Sequence, residues 1–379
     1  MPLELCRRLV RCQSITPRDD GVMQVLVDYL KHLGFTCKLF AEKEPYNLFA
    51  EYNFRPGATL GFLGHVDVVP AGSNWSCDPF EGHINDSAEL VARGIADMKG
   101  AIACYIKAIE DCIAHNPNIS LALYITGDEE VGSCDGAQSL IAWAKQNDLL
   151  PSACIIGEPS SCDKIGDRVY VGHRGSCNIN VTTYGTQRHV AYAMTQSNGI
   201  KDNAIAKLCL FLHALHKHHF DEPIYPEFAR TNLEATIITS ANYATNVIPE
   251  YAHANVNVRF CNRYTFANLR DIIENIRLQC HLTEDDIDLQ YHCSGEAYIC
   301  TDLCELITES ILEVQGFEPK LSCEGGISDG RFMISYCPII EFGLSDATIH
   351  QKNEKVPLLH LEQLKNVYKS VITKYCASI

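Results

Sequence analysis

Four apolar runs in this chain break off in the same kind of chemistry. "TLGFLG" leads into His65-Val66-Asp67, "ISLALYIT" into Gly127-Asp128-Glu129-Glu130, "ACIIG" into Glu158-Pro159, and "PIIEFGLSDAT" into His350. Short, continuous apolar runs read as strands covered on both faces, as in a mostly parallel sheet. A fifth polar residue, Asp97 in "RGIADMKG", follows another strand-like stretch and opens a helix. Open α/β sheets bind their ligands at the carboxyl edge of the strands. The steps from His65 to Asp97, Asp97 to Glu130 and Glu130 to Glu158 are each about thirty residues, roughly one βαβ unit. The spacing predicts that these groups return to one sheet edge.

The rest of the pattern agrees with that sheet. "VMQVLVDYLKHLGF" has apolar residues at helical spacing and stops at Gly34, and "MKGAIACYIKAIEDCIAH" and "CDGAQSLIAWAKQN" also read as helices. "CKLFA", "NLFAEY" and "ELVARG" read as strands, so strand and helix alternate, an α/β arrangement. Near residue 176 the texture changes. "CNINVTTYG", "LEATIITSA" and "AHANVNVRF" alternate apolar with polar residues, as strands with one wet face do, and helical stretches lie between and after them. Buried α/β patterning resumes with "DLCELITESILEVQGF" and "PIIEFGL". With 379 residues, two domains are expected. The prediction is an α/β catalytic domain, residues 1–175 and 293–379, with a mixed, mostly parallel sheet sandwiched by helices. An α+β domain, 176–292, is inserted into it.

Two histidines and several carboxylates gathered at one edge would repel and resist ionising together. Bound cations resolve the conflict, and imidazole with carboxylate suits Zn²⁺, with Mn²⁺ or Co²⁺ as alternatives. His65, Asp97, Glu130, Glu158 and His350 are too many for one tetrahedral ion, but they suffice for two if one carboxylate bridges. Two such ions together activate a water and polarise a carbonyl. Asp67, two residues beyond His65, would take the other imidazole N–H and fix its tautomer. Neighbouring side chains on an extended segment point opposite ways. One of Glu129 and Glu130 could therefore face a metal while the other acts as general base. Singly, each signal has an ordinary reading: a local hydrogen bond at His65, solvated charge at Glu129-Glu130, a helix cap at Asp97, a turn at Glu158-Pro159.

Composition narrows the alternatives. A net charge of −16 supplies no basic excess for duplex nucleic acid. The 19 cysteines form no C-x-x-C pair, which disfavours a disulfide framework or a cysteine zinc ribbon and suits a reducing cytoplasm. No secretion signal and no transmembrane stretch is read. Ser328 lacks a surrounding Gly-x-Ser-x-Gly elbow, so a serine nucleophile is disfavoured. The tract carrying His213, His216, His218 and His219 reads as a solvated helix face, and "EDDID" as a solvated turn.

The motifs "GHVDVVPAG", "RGIADMKGAIA", "TGDEEVGS", "IIGEPSS", "VGHRGS", "TNVIP", "NVRF", "GGISDGRF" and "ATIHQKNE" run in order from residue 64 to 354. Together they resemble the dinuclear zinc metallopeptidase family of aminoacylase, acetylornithine deacetylase and carboxypeptidase G2-like enzymes. The nearest branch is the one that removes succinyl groups. The resemblance implies a zinc-exopeptidase-like catalytic domain and hydrolysis of N-succinyl-LL-2,6-diaminopimelate to succinate and LL-diaminopimelate. It implies two Zn²⁺ per subunit, Co²⁺ or Mn²⁺ being possible substitutes. His65 and Glu158 would hold one ion and Glu130 and His350 the other, with Asp97 bridging. Glu129 would be the base and Asp67 the orienting group. Arg174, Asn246, Arg259, Gly326 and Ser328 would contact substrate. The inserted domain would act as a dimerisation or lid domain, pairing two copies so that His189 reaches the partner's site and stabilises an oxyanion.

The chain departs from that branch at Arg188, Ala193, Thr245, Ile327 and Asp346, the last adding negative charge near a dianionic substrate. Acetylornithine deacetylase, aminoacylase and dipeptidase activities stay open within the family. A non-catalytic metal-binding scaffold is the alternative from another class.

Overall fold

The computed structural model describes residues 1–131, 135–195, 202–242, 244–326 and 328–378. The chain divides into two compact units. One comprises Met1–Gly172, Cys300–Ser322 and Ser328–Ile379, and the other comprises His173–Ile299 with Cys323–Ile327. The sequence reading put the boundaries at 176 and 292; the division by packing falls a few residues outside both.

The first unit is built on eight strands. Their spatial order is Thr36–Phe40, Asn47–Tyr52, Leu121–Thr126, Leu60–His65, Ala153–Ile156, Ile339–Glu341, Arg168–Tyr170, Lys320–Ser322. The sheet is mixed, with four of its seven strand pairings parallel, Lys320–Ser322 with Arg168–Tyr170 among them. Leu60–His65 runs parallel to both neighbours, and Ala153–Ile156 runs parallel to Ile339–Glu341. Antiparallel pairing joins the first three strands and recurs between Ile339–Glu341 and Arg168–Tyr170. The first two strands are joined by a short loop (41–46), which permits only an antiparallel return.

Every residue of Leu60–His65 and Leu121–Thr126 is buried, as continuous apolar runs require. Phe62 stacks on Tyr105 of helix Gly100–His115, with ring centroids 4.2 Å apart, and meets Tyr368 of helix Leu358–Ala377 edge-on at 6.1 Å. Leu63, not Phe62, lies opposite Tyr124, so Tyr124 faces the other side of the sheet. There it packs with Phe49, which meets Trp143 of helix Asp135–Gln146 at 5.2 Å. Helices thus cover both faces. The carboxyl ends of the central strands emerge where His65, Gly127 and Glu158 follow.

Two glycines make room behind that edge. A Cβ on Gly64 would lie 2.5 Å from Met98 Cε. One on Gly157 would lie 2.4 Å from the same atom and 2.5 Å from the Phe62 ring. Met98 is fully buried between them, and its sulfur accepts from the His65 N–H at 3.4 Å. The residue after Asp97 is thereby wedged under two strand ends.

The second unit is a four-stranded antiparallel sheet in the order Asn232–Ser240, Tyr251–Phe260, Gly175–Tyr184, Ile287–Gly295. Tyr251–Phe260 alternates buried and wetter residues along its length. Its inner face (Ala254, Val256, Val258) joins Ile179 and Val181 against Leu208, Phe211, Leu269 and Ile273 of helices Ala204–Lys217 and Phe266–Gln279. Asn203 caps the first helix, and a Thr265–Asn268 capping box starts the second. "EDDID" is only partly the solvated turn expected. Strand begins at Ile287, and Asp286 accepts from the buried Lys207 ammonium at 2.6 Å.

Gly157→Ala should destabilise the protein by about 1–3 kcal/mol, the usual cost of overpacking a filled core. Denaturant titration of the purified variant checks this, and unchanged stability would contradict the packing around Met98.

Candidate metal centre

Five of the sequence-predicted residues come together in the first unit as two groups that share one member. His65, Asp97 and Glu158 offer ligand atoms that all lie within 4.8 Å of one another, and so do Asp97, Glu130 and His350. Among the described residues these are the acid and imidazole clusters compact enough for a metal ion. His65 Nε2 stands 3.2 Å from Asp97 Oδ1 and 3.7 Å from Glu158 Oε1. His350 Nε2 stands 3.2 Å from Asp97 Oδ2 and 2.9 Å from Glu130 Oε1. Each oxygen of Asp97 therefore faces a different group.

Local structure explains each placement. His65 ends its strand and Glu158 follows Ala153–Ile156, two strands that are parallel neighbours. Asp97 does not cap a regular helix. It sits in an irregular turn, Ile95–Lys99, ahead of helix Gly100–His115, with its own backbone far from helical at φ −128° and ψ 96°. His350 is held at φ +59°, a left-handed conformation unusual for a residue with a side chain. Glu129 and Glu130 begin a short 3-10 turn, Glu129–Val131, and are not the extended pair the sequence reading assumed. The turn, rather than strand alternation, separates their side chains.

Asp67 is fully buried, and its carboxylate lies 3.5 Å from His65 Nδ1. The Asp67 backbone carbonyl is nearer to that nitrogen, at 3.1 Å. The carboxylate also accepts the backbone N–H groups of Glu129, at 3.2 Å, and Glu130, at 3.1 Å. One acid therefore orients the imidazole and anchors the turn carrying the two glutamates.

The electrostatics are those of a cation site. Burial pushes Glu129 up to about 8, helped by Asp329, Asp97 and Glu130. Burial, then the Asp97 charge, raises Glu158 well above the usual carboxylate range. Burial would lower the His65 imidazole, but Asp67 and Asp97 lift it well above its ordinary value. Hydrogen bonds to Asp97 and Glu130 raise His350 to about 10. Burial opposes ionisation of Asp97 too, yet the two imidazoles hold it low. Protons thus occupy positions where a metal would bring charge. The donor set fits such an ion. Ligands about 2.1 Å from a tetrahedral zinc stand roughly 3.4 Å from each other, and the separations here run from 2.9 to 3.7 Å.

A family model described as peptidase family M20/M25/M40 matches residues 61–374. The chain belongs to that family. Succinyl-diaminopimelate desuccinylase of Rhizorhabdus wittichii is 39% identical over 378 residues, covering 98% of this chain and 97% of that protein. The protein of the same name from Zymomonas mobilis is 35% identical, covering 99% and 98%. Among solved structures, a tripeptidase from Staphylococcus aureus superposes with a TM-score of 0.81 at 18% identity, covering 99% of this chain and 98% of that one. The YXEP protein of Bacillus subtilis, described as a dinuclear metal binding peptidase, gives 0.74 at 11% identity, covering 100% and 98%. Like its M20 relatives, this chain is a metallohydrolase that acts on amide bonds.

The remaining expected residues of this M20 chain lie mainly in the second unit. Arg174 donates to Asn232 Oδ1 at 2.7 Å and to the Arg230 carbonyl at 3.2 Å. Burial, and then the Arg174 charge, lowers the pKa of Arg259, so two guanidiniums sit near each other. His189 is exposed; its Nε2 lies 3.2 Å from the Asn246 amide nitrogen, and its Nδ1 accepts from the Ala191 N–H at 3.2 Å. Gly326 is exposed in the same unit. Ser328 belongs to the first unit, where its hydroxyl donates to the buried Glu341 at 2.5 Å and accepts from the Gly330 N–H. Of the departures, Arg188 lies 3.8 Å from Asp202, and Asp346 is paired with Arg168. Thr245 is exposed. Ile327 and the Ala193 side chain lie outside the described residues. His213, His216 and His219 are exposed at the surface of the second unit, His218 partly so.

Sequence reasoning missed Asp329 and Glu354. Asp329 is buried, raised to about 6 by that burial, and accepts from Thr126 Oγ1 at 3.2 Å. Glu354 is 1% exposed. A charged residue in a loop carries no periodic signal of burial, so only its place in the "HQKNE" motif could have flagged it.

Metal uptake should release protons, because His65 and His350 hold them at neutral pH and ligate only when neutral. Calorimetric titration of chelator-treated protein with Zn²⁺, in buffers of different ionisation heats, should detect this release. Affinity should rise with pH through neutrality toward about pH 10, where His350 gives up its proton; pH-independent binding would count against imidazole ligation.

Proposed function

We propose that the chain removes the succinyl group from N-succinyl-LL-2,6-diaminopimelate, giving succinate and LL-diaminopimelate for lysine and cell-wall synthesis in the cytoplasm. The observation that carries the reading is Asp97, whose two oxygens each face a separate imidazole-and-carboxylate group. Full-length relatives at 35–39% identity carrying the desuccinylase name support the substrate.

In this reading His65 and Glu158 would hold one Zn²⁺ and Glu130 and His350 the other, with Asp97 shared between them and Co²⁺ or Mn²⁺ as substitutes. When bound, the ions supply Lewis acidity toward the amide carbonyl and lower the pKa of water. Glu129 takes a proton from the attacking water. Its raised pKa suits it to hold that proton and then deliver it to the departing amine. Asp67 keeps the Glu129 backbone and the His65 ring in register. Arg174 and Arg259, with Asn246, Gly326 and Ser328, hold the substrate, a guanidinium being matched to a carboxylate in its planar fork. The extra charge of Asp346 is offset by Arg168, which keeps a dianionic substrate acceptable.

The active species in this reading is a homodimer in which His189 of each subunit serves the partner's site. Support comes from the edge strand Asn232–Ser240. Ile237 and Ile238 are 54% and 64% exposed there, beside a groove lined by Ile205, Leu208, Cys209 and Leu212. An apolar sheet edge left in water is a pairing hazard unless a partner covers it. A second copy would cover it.

Three measurements test the proposal. Glu129→Ala should keep its metal and lose at least about two orders of magnitude in kcat; undiminished turnover would remove Glu129 as the base. Rates on succinyl-diaminopimelate and acetylornithine, measured side by side, should favour the succinyl compound, and the reverse order would reassign the substrate. Ile238→Arg should sediment as a monomer with greatly reduced activity, and a dimeric variant would move the interface elsewhere.

A further inference from the structure

We infer that Glu354 is a positioning residue for the metal centre, holding the bridging Asp97 and the His350 loop in one arrangement. The inference rests on the two-metal reading above.

Glu354 is almost wholly buried, and its carboxylate is saturated with donors. Oε2 accepts from Arg93 at 2.7 Å and from the Gly94 N–H at 2.9 Å. Oε1 accepts from the Ala96 N–H at 2.8 Å and the Asp97 N–H at 3.3 Å. The backbone N–H groups of Ala96 and Asp97 in the irregular turn, and of Gly94 just before it, thus converge on one side chain. No regular helix or strand could satisfy them, because the turn is neither. Without Glu354 they would be buried donors lacking an acceptor, a costly condition.

The same segment reaches the other loops. Arg93 donates weakly to the Pro70 carbonyl, at 3.5 Å, and its guanidinium lies 5.2 Å from the Trp75 ring centroid. Asn353 Oδ1 accepts from both the backbone N–H and the hydroxyl of Ser76, at 2.8 and 3.0 Å. Residues 70–76 continue the loop that leaves His65 and Asp67. His350 and Asn353 both have left-handed backbones, φ +59° and +58°, a strained geometry that persists only where its surroundings impose it. Thr348 closes that loop, its hydroxyl donating to the Lys355 carbonyl and accepting from the Lys355 N–H, both at 3.1 Å, and Lys355 directly follows the anchored Glu354. The segment 350–354 therefore ties a proposed metal ligand, the turn carrying Asp97 and the loop after His65 into one network.

The consequence is unequal. Two of the three side chains in the Asp97–Glu130–His350 group depend on Glu354, but only one in the His65–Asp97–Glu158 group does. Loss of Glu354 should weaken the second metal more than the first.

The test is titration of the full-length, metal-free protein with Co²⁺, followed by its visible absorption, alongside thermal melting. Wild type should take two equivalents. Glu354→Gln should bind the second at least tenfold more weakly and the first within threefold, with kcat falling and KM little changed. Should Glu354→Gln not fold, Glu354→Asp, which keeps the charge but reaches one methylene less, carries the same direction of effect. Two equivalents bound at wild-type affinity would overturn the inference, and so would equal weakening of both, which would mark Glu354 as a general stabiliser. A wild-type protein binding no Co²⁺ would remove the two-metal reading and this inference with it.

Discussion

Everything at the sheet edge depends on keeping buried carboxylates ionised side by side. Asp97 lies between two imidazoles, and Glu129, Glu130 and Glu158 crowd around them. Protons are one answer: the pKa values of His65 and His350 are raised, and so are those of Glu129 and Glu158. Divalent cations are the other answer, because their charge offsets that of the crowded carboxylates.

The scaffold is arranged to meet that demand. Parallel strands deliver His65 and Glu158 to neighbouring positions, and aromatic packing around Phe62 and Tyr124 makes the strand ends rigid. Precision beyond this comes from buried acids that bind backbone instead of metal. Asp67 holds the Glu129–Glu130 turn, and Glu354 holds the Asp97 turn. Irregular turns can point a carboxylate where a helix or strand cannot, but they leave N–H groups without partners. The buried acids supply those partners.

Much of this was legible from the residues alone. Continuous apolar runs marked the central strands, and period-two alternation separated the inserted sheet from them. The ligand types at the strand ends pointed to a pair of cations. Less legible were features that lack a period. Glu129 and Glu130 looked extended, because a three-residue turn leaves no pattern. No pattern around Ser328 reports that its hydroxyl donates to Glu341, a residue inside an apolar run. Asp346 looked like an added charge, and Arg168, far from it in sequence, offsets that charge.

By itself, then, the sequence determined which strands are buried on both faces, where they end, and that imidazole and carboxylate groups follow those ends at βαβ intervals. These properties follow from local periodicity and spacing, which any chain must obey wherever its parts lie in space. Only the tertiary structure decided that Asp97 faces both groups, that Glu354 is the acid beneath it, and that Asp67 binds the turn as well as the ring. Those are contacts between residues about 30 to 260 positions apart. Their geometry depends on how separate loops pack, which no single stretch of residues encodes.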